Sequence, residues 1–175
     1  MNVQTRQLGE VTKTMENEEL LSFLSDFKCS RNKDSEYFLK KLAPRHEKKD
    51  ISRTYLLVDT DEPKIMGYFT LALKCLNLDK ADLKPDIVEL MNLNEGVAQA
   101  YMLGQLARAD GAEKGSGKIM LDSALKTVIK GKNMFGCRMV RLDCKDELIG
   151  YYTEQGFQHI RKNIDKDLNQ MVRFI

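Results

Sequence analysis

An apolar run from Val97 to Ala107 leads into Asp110-Gly-Ala-Glu-Lys-Gly-Ser-Gly117. Beyond it Ile119, Leu121, Ala124, Leu125, Val128 and Ile129 recur at helical spacing. A strand passing through a short glycine turn into a helix belongs to α/β or α+β architecture, because sheet and helix each have one apolar face to cover. The turn also carries chemistry. Glycine lets backbone N–H groups turn inward with no Cβ in the way, and a helix N-terminus has unpaired donors and a partial positive charge. Lys114 and Lys118 flank Gly115-Ser116-Gly117, which makes the turn a candidate phosphate cradle. A basic strand-to-helix connection with no ligand would have the same sequence, and the turn alone leaves both readings open.

Two nucleotide signatures fit the turn poorly. Aligned on Gly117-Lys118, a triphosphate P-loop would need glycine where Ala112 stands and a magnesium-binding hydroxyl where Ile119 stands. A dinucleotide fingerprint beginning at Gly115 would need glycine at Met120.

Elsewhere helices and strands alternate. Leu20, Leu21, Phe23, Leu24 and Phe27 keep helical period after the acidic lead-in Glu16 to Glu19. A second helix starts near Asp34-Ser35, with Phe38, Leu39 and Leu42 on its apolar face, and Pro44 is expected to end it. Thr54–Val58 and Ile65–Leu73, joined by Asp59-Thr-Asp-Glu-Pro63, read as an antiparallel hairpin. Residues 76–96 read as a loop carrying a short helix, Met139–Leu142 as a strand, Leu148–Phe157 as a short helix ended by Gly156, and Met171–Ile175 as a last strand.

The chain has 175 residues, a size that suits one domain spanning 1–175. Hydrophobic residues are 42% and charged residues 31%, which excludes a disordered or fibrous chain. Cys29, Cys75, Cys137 and Cys144 form no Cys-x-x-Cys pair and read as free thiols, with Cys137 and Cys144 expected to be buried. His46 and His159 have no metal-ligand spacing and read as surface or edge residues, so no metal is expected. The opening MNVQTRQLGEVTK contains no apolar run and nothing approaches a membrane span, so the expected compartment is the cytoplasm, with no membrane partner.

Tyr101-Met-Leu-Gly-Gln-Leu-Ala107, Lys-Gly-Ser-Gly-Lys118 and Ile-Met-Leu-Asp-Ser-Ala-Leu125 together resemble the acetyl-CoA core of GNAT-type N-acetyltransferases. Tyr151-Tyr152-Thr-Glu-Gln-Gly156-Phe157 resembles the same superfamily's aromatic-Tyr-x-x-x-Gly-Phe signature. Phe27-x-Cys29, Asn32, Phe38-Leu39, Ala43, Ser52–Val58 and Gly67–Leu71 extend the likeness toward the branch holding bacterial toxin acetyltransferases, which modify aminoacyl-tRNA. The resemblance covers roughly residues 20–160. It departs at Ala112, where the superfamily turn usually opens with Gln or Arg, and between Leu106 and Gly115, which is about one residue longer than usual.

The resemblance implies a mixed, mostly antiparallel central sheet flanked by helices, with a V-shaped splay between strands 97–107 and 139–142. Acetyl-CoA would be the co-substrate. Its pantetheine arm would pair with backbone near Leu106 and Ala107, and its pyrophosphate would lie on Lys114, Gly115, Ser116, Gly117 and Lys118; Arg108 would face a phosphate or the acceptor. An amine attacks directly, and Tyr152 would protonate the leaving thiolate. Glu147, Glu154 and Asp143 read as solvated carboxylates, and the general base is not assigned.

The acceptor has to be argued from charge. The net charge is only +2, yet Lys40, Lys41, Arg45, Lys48, Lys49 and Arg53 form one basic cluster, and Lys126, Lys130, Lys132, Arg138, Arg141 and Lys145 form another. Such clusters suit a tRNA acceptor, and equally a solvated helix face. On the toxin branch an antitoxin partner and a homodimer would follow. The alternatives are acetylation of a small-molecule or protein amine, and a catalytically silent interaction protein with the same fold.

Overall fold

The computed structural model describes residues 2–77, 84–91, 96–163 and 167–175. These form two compact units, Met1–Ala72 with Gln105–Lys126, and Leu73–Gly104 with Thr127–Ile175.

The first unit opens with β1 (Val3–Gln7), which has no apolar run to announce it. It pairs antiparallel with β2 (Arg53–Asp59), Val3 opposite Asp59 and Gln7 opposite Tyr55. The predicted hairpin joins β2 to β3 (Lys64–Asn77), with Arg53 opposite Leu71 and a bulge at Leu57/Val58. Four short helices cover this sheet: α1 (Leu8–Val11), α2 (Asn17–Ser25), α3 (Lys33–Tyr37) and α4 (Ala43–Lys48). Together with the turn at Phe38–Leu42, they bury Leu8, Leu24 and Leu39 against Leu56 and Tyr68. The Phe27 ring meets the Tyr68 edge at 5.5 Å.

Pro44 does not end the second predicted helix. Phe38–Leu42 forms a π-helical turn, and Pro44 sits in the first turn of α4. Proline has no N–H to donate and its ring crowds the carbonyl four residues back; a widened turn before it relieves both faults, and the helical path continues to Lys48.

The second unit holds α5 (Pro85–Leu90), the short helix expected within 76–96, while Leu76 and Asn77 still belong to β3. The remainder of that expected loop, 78–83 and 92–95, lies outside the described residues. After β4 (Val97–Arg108), α6 (Ser116–Phe135) and β5 (Met139–Cys144) come α7 (Ile149–Glu154), β6 (Gln158–Asn163) and β7 (Leu168–Phe174). The last strand begins before Met171, and polar β6 was not visible in the sequence. β7 pairs antiparallel with β5 and β6, and Leu76, Ile87, Ala98, Met139, Ile160 and Val172 form the core.

The strand order is β1-β2-β3-β4-β5-β7-β6. The sheet is mostly antiparallel; β4 and β5 run parallel and pair only at Tyr101–Val140, Met102–Arg141 and Leu103–Leu142. β4 continues for five residues, Gly104–Arg108, past that short ladder, which is where the sequence placed the splay.

On α6, Met120, Leu121, Ala124, Leu125 and Val128 are buried, but Ile119 and Ile129 are exposed. At about 100° per residue Ile119 falls opposite the buried face and Ile129 on its flank, and Met120 takes the inward place.

Candidate functional site

The turn between β4 and α6 is shaped by two glycines that no other residue replaces cheaply. Gly111 has φ +77° and Gly115 φ +101°, and nothing lies within 4 Å of where a Cβ would stand on either. The constraint is therefore the backbone conformation and not crowding. Ser116 is buried, and its N–H and hydroxyl both donate to the Glu113 carbonyl, at 3.2 and 2.7 Å. Lys118 and Ile119 donate their N–H groups to the Gly115 carbonyl. The N–H groups of Gly115 and Gly117 make none of these internal bonds, so the turn offers donors at the positive end of a 20-residue helix.

Lys114 is exposed beside the turn, whereas Lys118 pairs with Asp122 one helical turn on, at 3.1 Å. A cleft of 460 Å³, lined by Phe23, Lys28, Ile65, Met66, Gly111 and Ala112, opens next to the turn. The turn is braced from its start. Asp110 donates its N–H to the Lys28 carbonyl, and its carboxylate accepts from the Ser30 N–H and hydroxyl.

Just before the turn, Leu106 and Arg108 are half-buried and Ala107 is buried. Gly67 of β3 allows this strand its place: a Cβ there would stand 2.8 Å from the Ala107 carbonyl oxygen and 2.5 Å from the Met120 sulfur.

Tyr152 lies in α7, in the second unit. Its spacing to Gly156 and Phe157 is that of a helix stop. Gly156 has φ +81°, its N–H donates to the Thr153 carbonyl, and the Phe157 N–H reaches back to the Tyr152 carbonyl at 3.0 Å. This is the Schellman arrangement, completed by an apolar contact between the Tyr152 and Phe157 rings, 5.7 Å apart and edge-on. Tyr151 also meets Tyr152 edge-on, at 5.1 Å. Tyr152 is 7% exposed, and its hydroxyl makes no hydrogen bond among the described residues. Burial, then the neighbouring Tyr151 and Cys144, push the phenol above its ordinary range, so it stays protonated at neutral pH.

Two other candidates, Asp143 and Cys137, depart from expectation. Asp143 is not a solvated carboxylate: it sits on β5 in a near-buried ion pair with Arg141 at 3.1 Å. Glu147 and Glu154 are exposed. Cys144 is buried, but Cys137 is only partly so; it has φ +66° and contacts the Gln99 carbonyl. All four cysteines are free thiols. His46 packs edge-on to Phe38, and His159 lies 3.0 Å from the Asn169 side chain. Among the described residues no group of His, Cys, Asp and Glu is placed to hold a metal ion, and no helix is long and apolar enough to cross a membrane.

Each basic cluster is partly neutralised. Lys40 pairs with Glu36, Arg53 with Asp50, and Lys132 donates to the Ile175 carbonyl. Lys41, Arg45, Lys48 and Lys49 remain exposed at helical spacing and join none of the ion pairs among the described residues.

No protein-family model and no curated protein matches this sequence. Solved structures do match its backbone. A bacterial toxin superposes with a TM-score of 0.80 over 99% of this chain and 91% of its own, at 15% identity. The fold is a GNAT fold. AtaT complexed with acetyl-methionyl-tRNAfMet matches at TM-score 0.74 and 17% identity, over 97% of this chain and 94% of AtaT. A tyrosine-to-phenylalanine mutant of KacT matches at 0.76 and 18%, over 97% and 94%. AtaT also matches in the AtaTR assembly bound with acetyl-CoA, at TM-score 0.69. At these identities the likeness establishes the GNAT fold, seen in toxin acetyltransferases, and the mostly antiparallel sheet with its abbreviated β4–β5 ladder accords with it.

Proposed function

We propose that residues 1–175 form one acetyltransferase domain that moves an acetyl group from acetyl-CoA to a primary amine, the acceptor being the amino group of an aminoacyl-tRNA. The observation that carries this reading is the order of parts along β4 and α6. A strand runs five residues past its last pair with its parallel partner and enters a turn whose two left-handed glycines hold N–H donors at a helix N-terminus. That order suits a ligand with an amide-bearing arm followed by a pyrophosphate. A likeness over nearly the whole chain to AtaT, solved with an acetylated aminoacyl-tRNA, supports the acceptor class.

In this reading backbone at Leu106 and Ala107 receives the pantetheine amides. The N–H groups of Gly115 and Gly117 receive the pyrophosphate, Ser116 braces the turn through the Glu113 carbonyl, and Lys114, Lys118 and Arg108 add positive charge. The free amine attacks the thioester carbon, the C–N bond forms and the C–S bond breaks. A backbone N–H beside the carbonyl stabilises the developing oxyanion. Tyr152 gives its proton to the departing thiolate and is reprotonated from solvent, which takes up the proton lost by the amine. Burial keeps the phenol protonated at neutral pH, the form a proton donor needs. Lys41, Arg45, Lys48 and Lys49 supply charge for the RNA backbone. An antitoxin partner, a homodimer and a cytoplasmic setting complete the toxin-like reading.

Isothermal titration with acetyl-CoA tests it. Micromolar binding, weakened in high salt by screening at the phosphates, is expected. No heat at several hundred micromolar would leave a catalytically silent module with the same fold.

A further inference from the structure

Gln105 is the second residue of β4 beyond the last β5 pair, Leu103–Leu142, and sequence reasoning gave it no role. Both of its ends are fixed. Its backbone N–H donates to the Thr70 hydroxyl at 2.9 Å, so a side chain takes the place of a strand carbonyl. Its side-chain Oε1 accepts from the Ser35 hydroxyl at 2.7 Å. Ser35 is itself immobilised, being 1% exposed. Its N–H is capped by the Asn32 side chain at 3.1 Å, and its carbonyl accepts from the Tyr68 hydroxyl at 2.7 Å. Thr70 and Tyr68 are buried as well. The loop leading to α3 is tied to the glycine turn through Ser30 and Asp110.

A glutamine amide has one acceptor oxygen and a nitrogen with two donors. Here the oxygen is used, and the nitrogen makes no hydrogen bond among the described residues. The residue is half-buried, and Gly104 beside it is exposed. A held, planar pair of N–H donors suits an oxygen acceptor on a bound ligand.

We infer that Gln105 is an acceptor-orienting residue, donating from Nε2 to the carbonyl oxygen of an α-aminoacyl group and so aiming its amine, with Ser35 as the positioning residue that holds the amide. The inference rests on the acetyltransferase reading and narrows its substrate. An α-aminoacyl ester has a carbonyl one carbon from its amine; a lysine side chain or a polyamine has none to offer. A site that hydrogen-bonds one particular substrate group rejects analogues lacking it, because its own donors are then left unpaired.

The test is acetylation of total charged tRNA by the full chain and by the variants Gln105→Glu, Gln105→Leu and Ser35→Ala, with acetyl-CoA affinity measured on each. Gln105→Glu is the informative change: it has the same shape and still accepts from Ser35, but it replaces the donors with an oxygen that repels a carbonyl. Both Gln105 variants are expected to lower kcat/KM for charged tRNA by about 10- to 100-fold, and Ser35→Ala by about 3- to 10-fold, with acetyl-CoA affinity within about twofold of wild type. Gln105→Glu at or above wild-type kcat/KM would overturn the inference. So would an equal loss of acetyl-CoA affinity in the Gln105 variants, or a wild type that binds acetyl-CoA and leaves charged tRNA unmodified. A wild type that fails to bind acetyl-CoA refutes the underlying reading, a distinguishable result.

Discussion

Replacing Tyr152 with phenylalanine separates two roles that the sequence motif runs together. The ring is the apolar half of the helix stop, packed against Phe157 and Tyr151 at 5.7 and 5.1 Å, and phenylalanine keeps both contacts. The hydroxyl has no hydrogen-bond partner among the described residues, so its removal orphans no buried group. The stability change should stay within about 1 kcal/mol, a shift of about 2–4 °C in Tm for a chain of this length. Deleting the whole ring with Tyr152→Ala should cost about 3–5 kcal/mol. A positioned general acid contributes roughly 10²- to 10⁴-fold, so Tyr152→Phe should raise the barrier by about 3–5 kcal/mol. Burial holds the phenol above its ordinary value near 10, so wild-type kcat should show no fall from an ionising acid between about pH 7 and 9.5. The assay is release of free CoA thiol, with melting temperature and acetyl-CoA titration run on the same preparations. Turnover within threefold of wild type would refute the acid assignment, and a large loss of Tm with proportionate loss of rate would reduce Tyr152 to a packing residue.

Other perturbations have outcomes of different sign and place. Gly67→Ala forces a methyl against the Ala107 carbonyl oxygen, which is backbone and cannot swing aside; thermal melting should show a loss of about 1–3 kcal/mol. Gly115→Ala meets no neighbour but must hold φ near +101°, so calorimetry should show about 1–2 kcal/mol of lost stability or an equivalent weakening of acetyl-CoA binding. The carboxyl of Glu36 is held at about 2 by the Cys29 N–H, then by Lys40 and Lys33. Its folded pKa is below the unfolded value near 4.3, so its contribution is present above that value and is lost as pH falls toward 2. Urea unfolding of Glu36→Gln should therefore depend less on pH between about 5 and 2 than that of wild type.

The legible parts of the fold were those where one residue type has a local task. The β2–β3 hairpin showed itself through two apolar runs around Asp59–Pro63, and the start of α6 through glycines at positive φ that side chains rarely adopt. Tyr152, Gly156 and Phe157 were legible for a second reason, since their spacing is set by the hydrogen bonds that close a helix. Edge strands were hidden: β1 and β6 each pair on one side, and their stability comes from β2 and β7, so VQTRQ and QHIRKN have no pattern of their own. α4 was hidden because a proline can end one helix or begin another, and only the π-helical turn before it decides which. Charge misled at Lys40, Arg53 and Arg141, whose acidic partners depend on helix and strand geometry. Gln105 and Ser35 lie 70 residues apart and match no spacing rule, so their contact needed the folded chain.

The acetyl acceptor decides more than any other quantity. Radiolabelled acetyl-CoA should be incubated with the protein and either charged or deacylated tRNA, and the tRNA then hydrolysed in mild base. The acetyltransferase reading predicts label only with charged tRNA, released as N-acetyl amino acid. Label on deacylated tRNA, or none on charged tRNA from a protein that binds acetyl-CoA, would contradict it.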